Sequence, residues 1–359
     1  MISFARGAPA PECLDAALLA DCARVAVERD PSVLAYGSGG GYGPLREHLA
    51  ARHGVEPGRV LLTTGGLQGF VFYAEELLES RPGRVLVEAP TYDRPLKILR
   101  RLGAEIRPVS MDAEGLEPDA LERELAAGQT SFLYTIPTFQ NPSGRTLSPG
   151  RRRRVVELAR EHGVPVLEDD PYGLVRYEGE PPPSLHELEG GDLVTYASSF
   201  SKTVAPGLRV GWFVAPADLT ARLEARAVST YISPPFLTQA AVFELIDRGG
   251  FEPNLERIRG LLRLRRDAMR DALAASLSGE ATWSEPEGGY FLWVDLPVDA
   301  AELLERAEAA GVTFVQGADF HADGSGSRSA RLAFSYASPS EIGEGVSTLA
   351  SLLASDRRA

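Results

Sequence analysis

Ser198–Gly211 reads SSFSKTVAPGLRVG and follows the apolar run Leu193–Ala197, LVTYA. A lysine just past a buried strand, between small hydroxyl residues and a Pro-Gly-Leu-Arg turn, has two readings. In the first, Lys202 is a solvated loop cation. In the second, its amine loses hydration at the strand end, its pKa drops, and it becomes nucleophilic toward an aldehyde. Ser199, Ser201 and Arg209 would then supply the donors that a phosphate needs.

Working outward, Arg59–Thr63, Arg84–Glu88, Ser131–Ile136, Val164–Glu168 and Arg209–Val214 are short apolar runs with strand character. Between most of them lie helix-length segments: Gly66–Glu79, Pro95–Gly103, Pro118–Ala127 and Ser148–Gly163. Such alternation predicts an α/β layer with a mostly parallel sheet, whose strands are apolar throughout because both faces are covered. From about Ala217 the texture changes. Ala217–Ile246 and Asn254–Leu277 read as long helices, followed by strand-like Tyr290–Leu296, helix-like Ala300–Ala310 and strand-like Arg331–Ser335. A second, smaller α+β unit is expected there.

The chain has 359 residues, 44% hydrophobic and 24% charged, so a large core needs no staples. With 37 basic and 50 acidic residues the net charge is −13, opposite in sign to a nucleic-acid footprint. Cys13 and Cys22 form no disulfide framework and lack a zinc spacing. The start, MISFARGAPAPECL, has no long apolar core of a signal peptide, and no run of 18 apolar residues occurs. A cytoplasmic protein with no membrane partner is expected. The 36 glycines and 26 prolines gather at the strand ends, where parallel α/β sheets carry their ligands.

The glycine run Gly37–Gly43 fails the dinucleotide pattern, and no P-loop, zinc-protease helix or nucleophile elbow is present. Leu167–Tyr172, LEDDPY, places three carboxylates at a strand end. They could bind a metal, cap a helix, or pair with a protonated ring nitrogen. No metal site is expected, since no histidine or second acidic cluster stands nearby. In Tyr134–Gly144, YTIPTFQNPSG, Asn141 is either a turn starter before Pro142 or an amide held for a ligand oxygen.

Together with ISFARGAP, YGSGGGYGPLRE, TTGGLQ, EAPTYD, EGGYFLWVDLP and RLAFS, these segments resemble the fold type I pyridoxal-phosphate enzymes. The nearer likeness is to the class I/II aminotransferase branch that includes 2-aminoadipate and kynurenine aminotransferases and the effector domains of MocR-like regulators. It runs from about Ile2 to about Leu353. The resemblance implies a large, mostly parallel seven-stranded sheet domain over 31–245. It also implies a small C-terminal α+β domain over 246–359, and a segment 1–30 packed with that small domain.

It further implies that pyridoxal 5′-phosphate is held by Lys202 as a Schiff base. Asp169 would pair with the pyridine nitrogen and keep it protonated, the protein's main lever on the cofactor. Asn141 and Tyr172 would contact the ring's 3-oxygen, and Tyr92 would stack on the ring. Gly65, Gly66 and Leu67 would open a helix beneath the phosphate. Ser199, Ser201 and Arg209 would bind that phosphate too. Tyr36 would reach it from a second copy in a homodimer with shared sites. Arg331 would take the substrate α-carboxylate beside Asn141 and Gly7. The implied reaction moves an amino group from an α-amino acid to a 2-oxo acid. Elimination, decarboxylation, epimerisation or cyclisation on the same scaffold is the alternative. A regulator module is disfavoured, because the chain starts at the enzyme-like part and is acidic.

Three positions depart from the pattern. Gly66 stands where the family has serine, removing one phosphate hydroxyl. Arg6 replaces a small residue, which suggests extra positive charge near the substrate. Gln316 replaces a proline.

Overall fold

The computed structural model describes residues 1–356. In chain order the strands are β1 Ile2–Ser3, β2 Val60–Thr63, β3 Arg84–Ala89, β4 Ile106–Asp112, β5 Gly115–Leu116, β6 Thr130–Thr135 and β7 Val166–Asp169. Then come β8 Val194–Ser199, β9 Gly211–Val214, β10 Thr282–Trp283, β11 Phe291–Asp295, β12 Val312–Thr313, β13 Val315–Gln316 and β14 Ser329–Ala333. The helices are α1 Ala16–Arg29, α2 Gly43–His53, α3 Gly66–Ser80, α4 Asp93–Arg101, α5 Pro118–Ala126 and α6 Pro149–His162. They continue as α7 Leu185–Glu189, α8 Ala217–Tyr231, α9 Phe236–Asp247, α10 Phe251–Leu277, α11 Ala300–Ala309 and α12 Pro339–Asp356.

The large sheet has the order β2-β9-β8-β7-β6-β3-β4-β5. The neighbours from β8 through β7, β6 and β3 to β4 run parallel, while β9 is antiparallel to both β2 and β8. Eight strands pair rather than the expected seven, because the two-residue β5 folds back on β4. The sequence reading passed over β4 itself. At the edge of the parallel run it is buried mainly at Val109, so it lacks the continuous apolar run of the central strands.

Two apolar cores sandwich this sheet. Leu61, Tyr73, Val85, Val87, Phe132, Tyr134 and Phe213 pack together on one side. Leu86, Leu133, Val155, Leu158 and Val166 pack on the other. Alternate residues of β3 and β6 thus feed opposite cores, as the strand period requires. Gly69 on α3 is one position where packing excludes a side chain: a Cβ there would sit 2.1 Å from the Phe213 ring.

The stretch Ala217–Ile246 does not form one helix. It breaks between α8 and α9, where Ile232 takes a left-handed φ of 70° ahead of Pro234 and Pro235. The second sheet is antiparallel, ordered β10-β11-β14-β13. It packs with α10, α11 and α12 through Met269, Leu273, Leu292, Leu332, Ile342 and Val346. Residues 1–30 divide between the two bodies. β1 pairs in parallel with β12, and Phe4 lies in the small core. By contrast, α1 lies on α9, with Cys22 buried against the large body. Likewise α10 begins in the large body at Phe251 and Leu255 and ends in the small one at Leu277.

Candidate active site

The C-terminal ends of β6, β7 and β8 open on one cavity, as expected for a parallel sheet. Gly66, Leu67, Tyr92, Asn141, Asp169, Tyr172, Ser199, Ser201, Lys202 and Arg209 line it, together with Phe70, Pro95, Ile136, Pro171 and Pro206.

Lys202 follows β8 by three residues, and its Nζ donates to the Gly7 carbonyl at 2.7 Å. The Tyr290 hydroxyl donates to the Lys202 carbonyl at 2.9 Å, fixing the turn from the small body. Burial pushes the amine down to about 8, with the Arg331 and Arg209 charges acting in the same direction.

The three carboxylates of LEDDPY point three ways. Glu168 accepts the N–H groups of Leu185 at 3.0 Å and His186 at 2.9 Å. Asp170 accepts from Gly173 N at 2.7 Å and from the Tyr196 hydroxyl at 3.0 Å. Of the three, Asp169 alone lines the cavity. Its Oδ2 accepts from the Tyr134 hydroxyl at 2.8 Å, and burial pushes its carboxyl up to about 7. Such a group ionises readily beside a cation.

Arg209 has a left-handed backbone (φ 53°, ψ 47°) that turns its side chain back over Ser201. Its Nη1 donates to Ser201 Oγ at 3.3 Å and to the Pro206 carbonyl at 3.1 Å. The Ser199 and Ser201 hydroxyls are 2.8 Å apart. Below them Gly65, with φ 83°, stands at the N-cap of α3 and supplies no side-chain cap. A Cβ on Gly65 would lie 2.0 Å from Arg209 Nη2, so only glycine lets the guanidinium approach the helix terminus. An arginine without a carboxylate partner among the described residues, two hydroxyls and an uncapped helix N-terminus converge on an anion.

Arg331, on β14, is 7% exposed and likewise pairs with no carboxylate among the described residues. Its Nη1 donates to Asn141 Oδ1 at 3.0 Å and its Nη2 to the Ala5 carbonyl at 2.7 Å, while Nε has no partner. The Phe291 and Phe320 rings flank it, with centroids 4.3 and 5.0 Å from Cζ. A buried cation balanced by π faces is a second anion site. Gly7 stands beside it: a Cβ there would meet the Phe291 ring at 2.8 Å.

Two positions lie elsewhere. Tyr36 is 81% exposed and away from the cavity of its own chain. The Arg6 side chain is exposed and stacks on Tyr336 at 4.4 Å, while the carbonyls of Ala5 and Gly7 on either side face the site. The expected extra charge near the substrate is therefore turned outward, onto Tyr336. Gln316 hydrogen-bonds Asp319 at the surface.

Sequence reasoning missed Tyr134, Tyr290, Phe291 and Phe320. They belong to quoted motifs or loops, but their partners stand eleven or more residues away on other elements, so no local spacing marks them. The Tyr134 link follows only from the β6–β7 register, which sets Tyr134 beside Leu167.

These residues fit pyridoxal 5′-phosphate. Gly65 leaves room for a dianion cradle that a Cβ would fill, the amine of Lys202 is near neutrality, and Asp169 lies in the same cavity.

The comparisons agree. The sequence model for aminotransferase class I and II matches residues 1–349. The 2-aminoadipate transaminase of Thermus thermophilus is 37% identical over 356 residues, 97% of this chain and 89% of that enzyme. A solved kynurenine aminotransferase of Pyrococcus horikoshii, in complex with pyridoxamine phosphate, superposes with a TM-score of 0.95 at 34% identity, covering 100% of this chain and 92% of that one. An uncharacterized HTH-type transcriptional regulator of Bacillus subtilis is 32% identical over 313 residues, 85% of this chain and 63% of the regulator. With the family matched across nearly its whole length and the cofactor's donors assembled in one cavity, the chain belongs to the class I and II aminotransferases and is a pyridoxal-phosphate-dependent enzyme of fold type I.

Proposed function

We propose that the cavity moves the α-amino group of an amino acid to the C2 carbon of a 2-oxo acid, with Lys202 moving the proton at the substrate Cα. The bound cofactor supplies an aldehyde for the amino group and an electron sink for the Cα electrons. Asp169 holds the proton on the ring nitrogen, and Tyr134 holds Asp169 in place. Asn141 and Tyr172 orient the 3-oxygen side, and Tyr92 covers a ring face. Ser199, Ser201, Arg209 and the N–H groups at Gly66 and Leu67 bind the phosphate. Arg331 orients the substrate by its α-carboxylate. The observation that carries this reading is a pair of arginines without a carboxylate partner among the described residues, Arg331 buried and Arg209 exposed at the cavity's edge, around a lysine depressed to about 8. One fits the cofactor's phosphate and the other the substrate's carboxylate.

A homodimer is part of the proposal. Leu34, Tyr36, Val228 and Ile232 are 64%, 81%, 43% and 55% exposed. They gather where Gly37 N donates to Ser233 Oγ and Gly39 abuts Val228. Clustered exposed apolar side chains mark an interface, and a second copy would bring Tyr36 to a neighbouring phosphate. The net charge of −13 disfavours nucleic acid as a partner. No helix among the described residues is long and apolar enough to cross a membrane. A cytoplasmic location is proposed with that. We also propose the division 1–30, 31–245 and 246–359, with the first segment bridging both bodies.

The test is optical. Adding an α-amino acid to the loaded protein should convert the cofactor band to the pyridoxamine form, and a 2-oxo acid should restore it. Release of ammonia or pyruvate without the pyridoxamine form would overturn amino transfer in favour of elimination.

A further inference from the structure

Glu88 is a buried carboxylate for which the reaction above has no use. It stands near the C-terminal end of β3 and is 2% exposed. Its Oε1 accepts from Thr135 Oγ1 at 2.6 Å. Its Oε2 accepts from Ile136 N at 3.1 Å and from Gln140 Nε2 at 3.0 Å. Gln140, 1% exposed, is saturated as well. Its Nε2 also donates to the Pro90 carbonyl at 2.8 Å, and its Oε1 accepts from Ser143 N at 2.8 Å. Its backbone N–H donates to the Arg145 carbonyl at 2.8 Å.

Four of these bonds tie the end of β3 and the loop after it to the end of β6 and the loop after it, while those to Ser143 and Arg145 brace the second loop on itself. From Glu88 near the end of β3 the chain runs through Pro90 to Tyr92, and from Thr135 at the end of β6 it runs through Gln140 to Asn141. Tyr92 lines the cavity from the first loop, and Ile136 and Asn141 line it from the second. Burying an acid among neutral donors costs stability relative to a well-packed apolar pair. What such a pair adds is direction, because each of the four crossing bonds fixes one distance between the two segments.

We propose that Glu88 and Gln140 are a positioning pair that sets the separation of Tyr92 and Asn141, and thereby the slot into which the cofactor ring fits. The proposal rests on the reading of those two residues as ring contacts. Neither member touches the reacting atoms.

The experiment compares Glu88→Gln, Gln140→Leu and the milder Thr135→Val with the parent, all full-length and supplied with pyridoxal phosphate. Glu189→Gln is the control. Glu189 is another buried carboxylate accepting backbone N–H groups, those of Asp192, Leu193 and Val194, but it sits at the opposite end of β8. Hydrogen exchange should rise together in residues 90–93 and 139–144 of the clamp variants. The cofactor's dissociation constant should rise and kcat should fall by roughly ten- to a hundredfold, with a shifted absorbance band and little change in KM. The control should lower the melting temperature without moving the band. Unchanged band, cofactor affinity and kcat in the clamp variants, or loosening of only one segment, would overturn the clamp. If Glu88→Gln does not fold, Thr135→Val, which removes a single donor, decides by the same readouts. A parent that binds no cofactor refutes the site reading instead, and the paired exchange of the two loops still judges the clamp.

Discussion

Lys202 shows how little separates a structural cation from a nucleophile. In water its amine would be protonated far above neutrality. Burial next to Arg331 and Arg209 brings it to about 8, so the neutral, reactive form grows as pH rises through that value. The rate at which cofactor-free protein captures pyridoxal phosphate should therefore climb between neutral and mildly alkaline pH with a midpoint near 8, followed by stopped-flow absorbance. Arg331→Ala removes one of the charges that disfavour protonation and should move that midpoint upward. A Lys202→Ala protein should yield no borohydride-stable cofactor adduct, and an adduct by mass spectrometry would remove Lys202 from its role. Arg331→Ala should also weaken substrate binding by about 2 kcal/mol, roughly thirtyfold in KM, since a charge-assisted pair to the carboxylate is lost. An unchanged KM for both amino donor and oxo acceptor would place the carboxylate elsewhere.

The start of α3 concentrates the phosphate chemistry in two glycines that are not equivalent. Gly65 has φ 83° and lies against Arg209, whereas a Cβ on Gly66 would meet only the Ser198 carbonyl, at 3.9 Å. Gly65→Ala should thus displace the guanidinium and loosen the cofactor. Gly66→Ser has room for a hydroxyl where the helix N-terminus already favours an anion. It should tighten cofactor binding by roughly three- to tenfold, one added charge-assisted hydrogen bond, measured by fluorescence titration. A weaker affinity for Gly66→Ser would show that the phosphate does not lie over this turn. The misread helix between Ala217 and Ile246 teaches the converse lesson. Periodicity continued through the segment, but Pro234 and Pro235 carried the break.

Across the whole molecule, exposed apolar side chains gather around Tyr36. Covering them with a second copy would bury Leu34 and Val228 and supply Tyr36 to a neighbouring site. A Leu34→Glu, Val228→Glu protein should sediment as a monomer and bind cofactor more weakly than the parent. A parent that sediments as a monomer with full cofactor affinity would refute the shared site.

The chain's local patterns sufficed for the alternation of strands and helices, the placement of Lys202, Asp169, Asn141 and Arg209 at strand ends, and the cofactor they imply. Each depends on residues adjacent in sequence, where period, turn chemistry and motif order act. Of the adjacent Asp169 and Asp170, the family resemblance points to Asp169. The physical reason, Tyr196 and Gly173 holding Asp170 away from the cavity, appears only once β7 lies beside β8. The Tyr134 support, the phenyl rings around Arg331, the outward turn of Arg6 and the Glu88–Gln140 pair are of the same kind. Their partners come from distant strands and loops, and a hydrogen bond or ring contact between such partners is set by sheet register and packing, which no local spacing encodes.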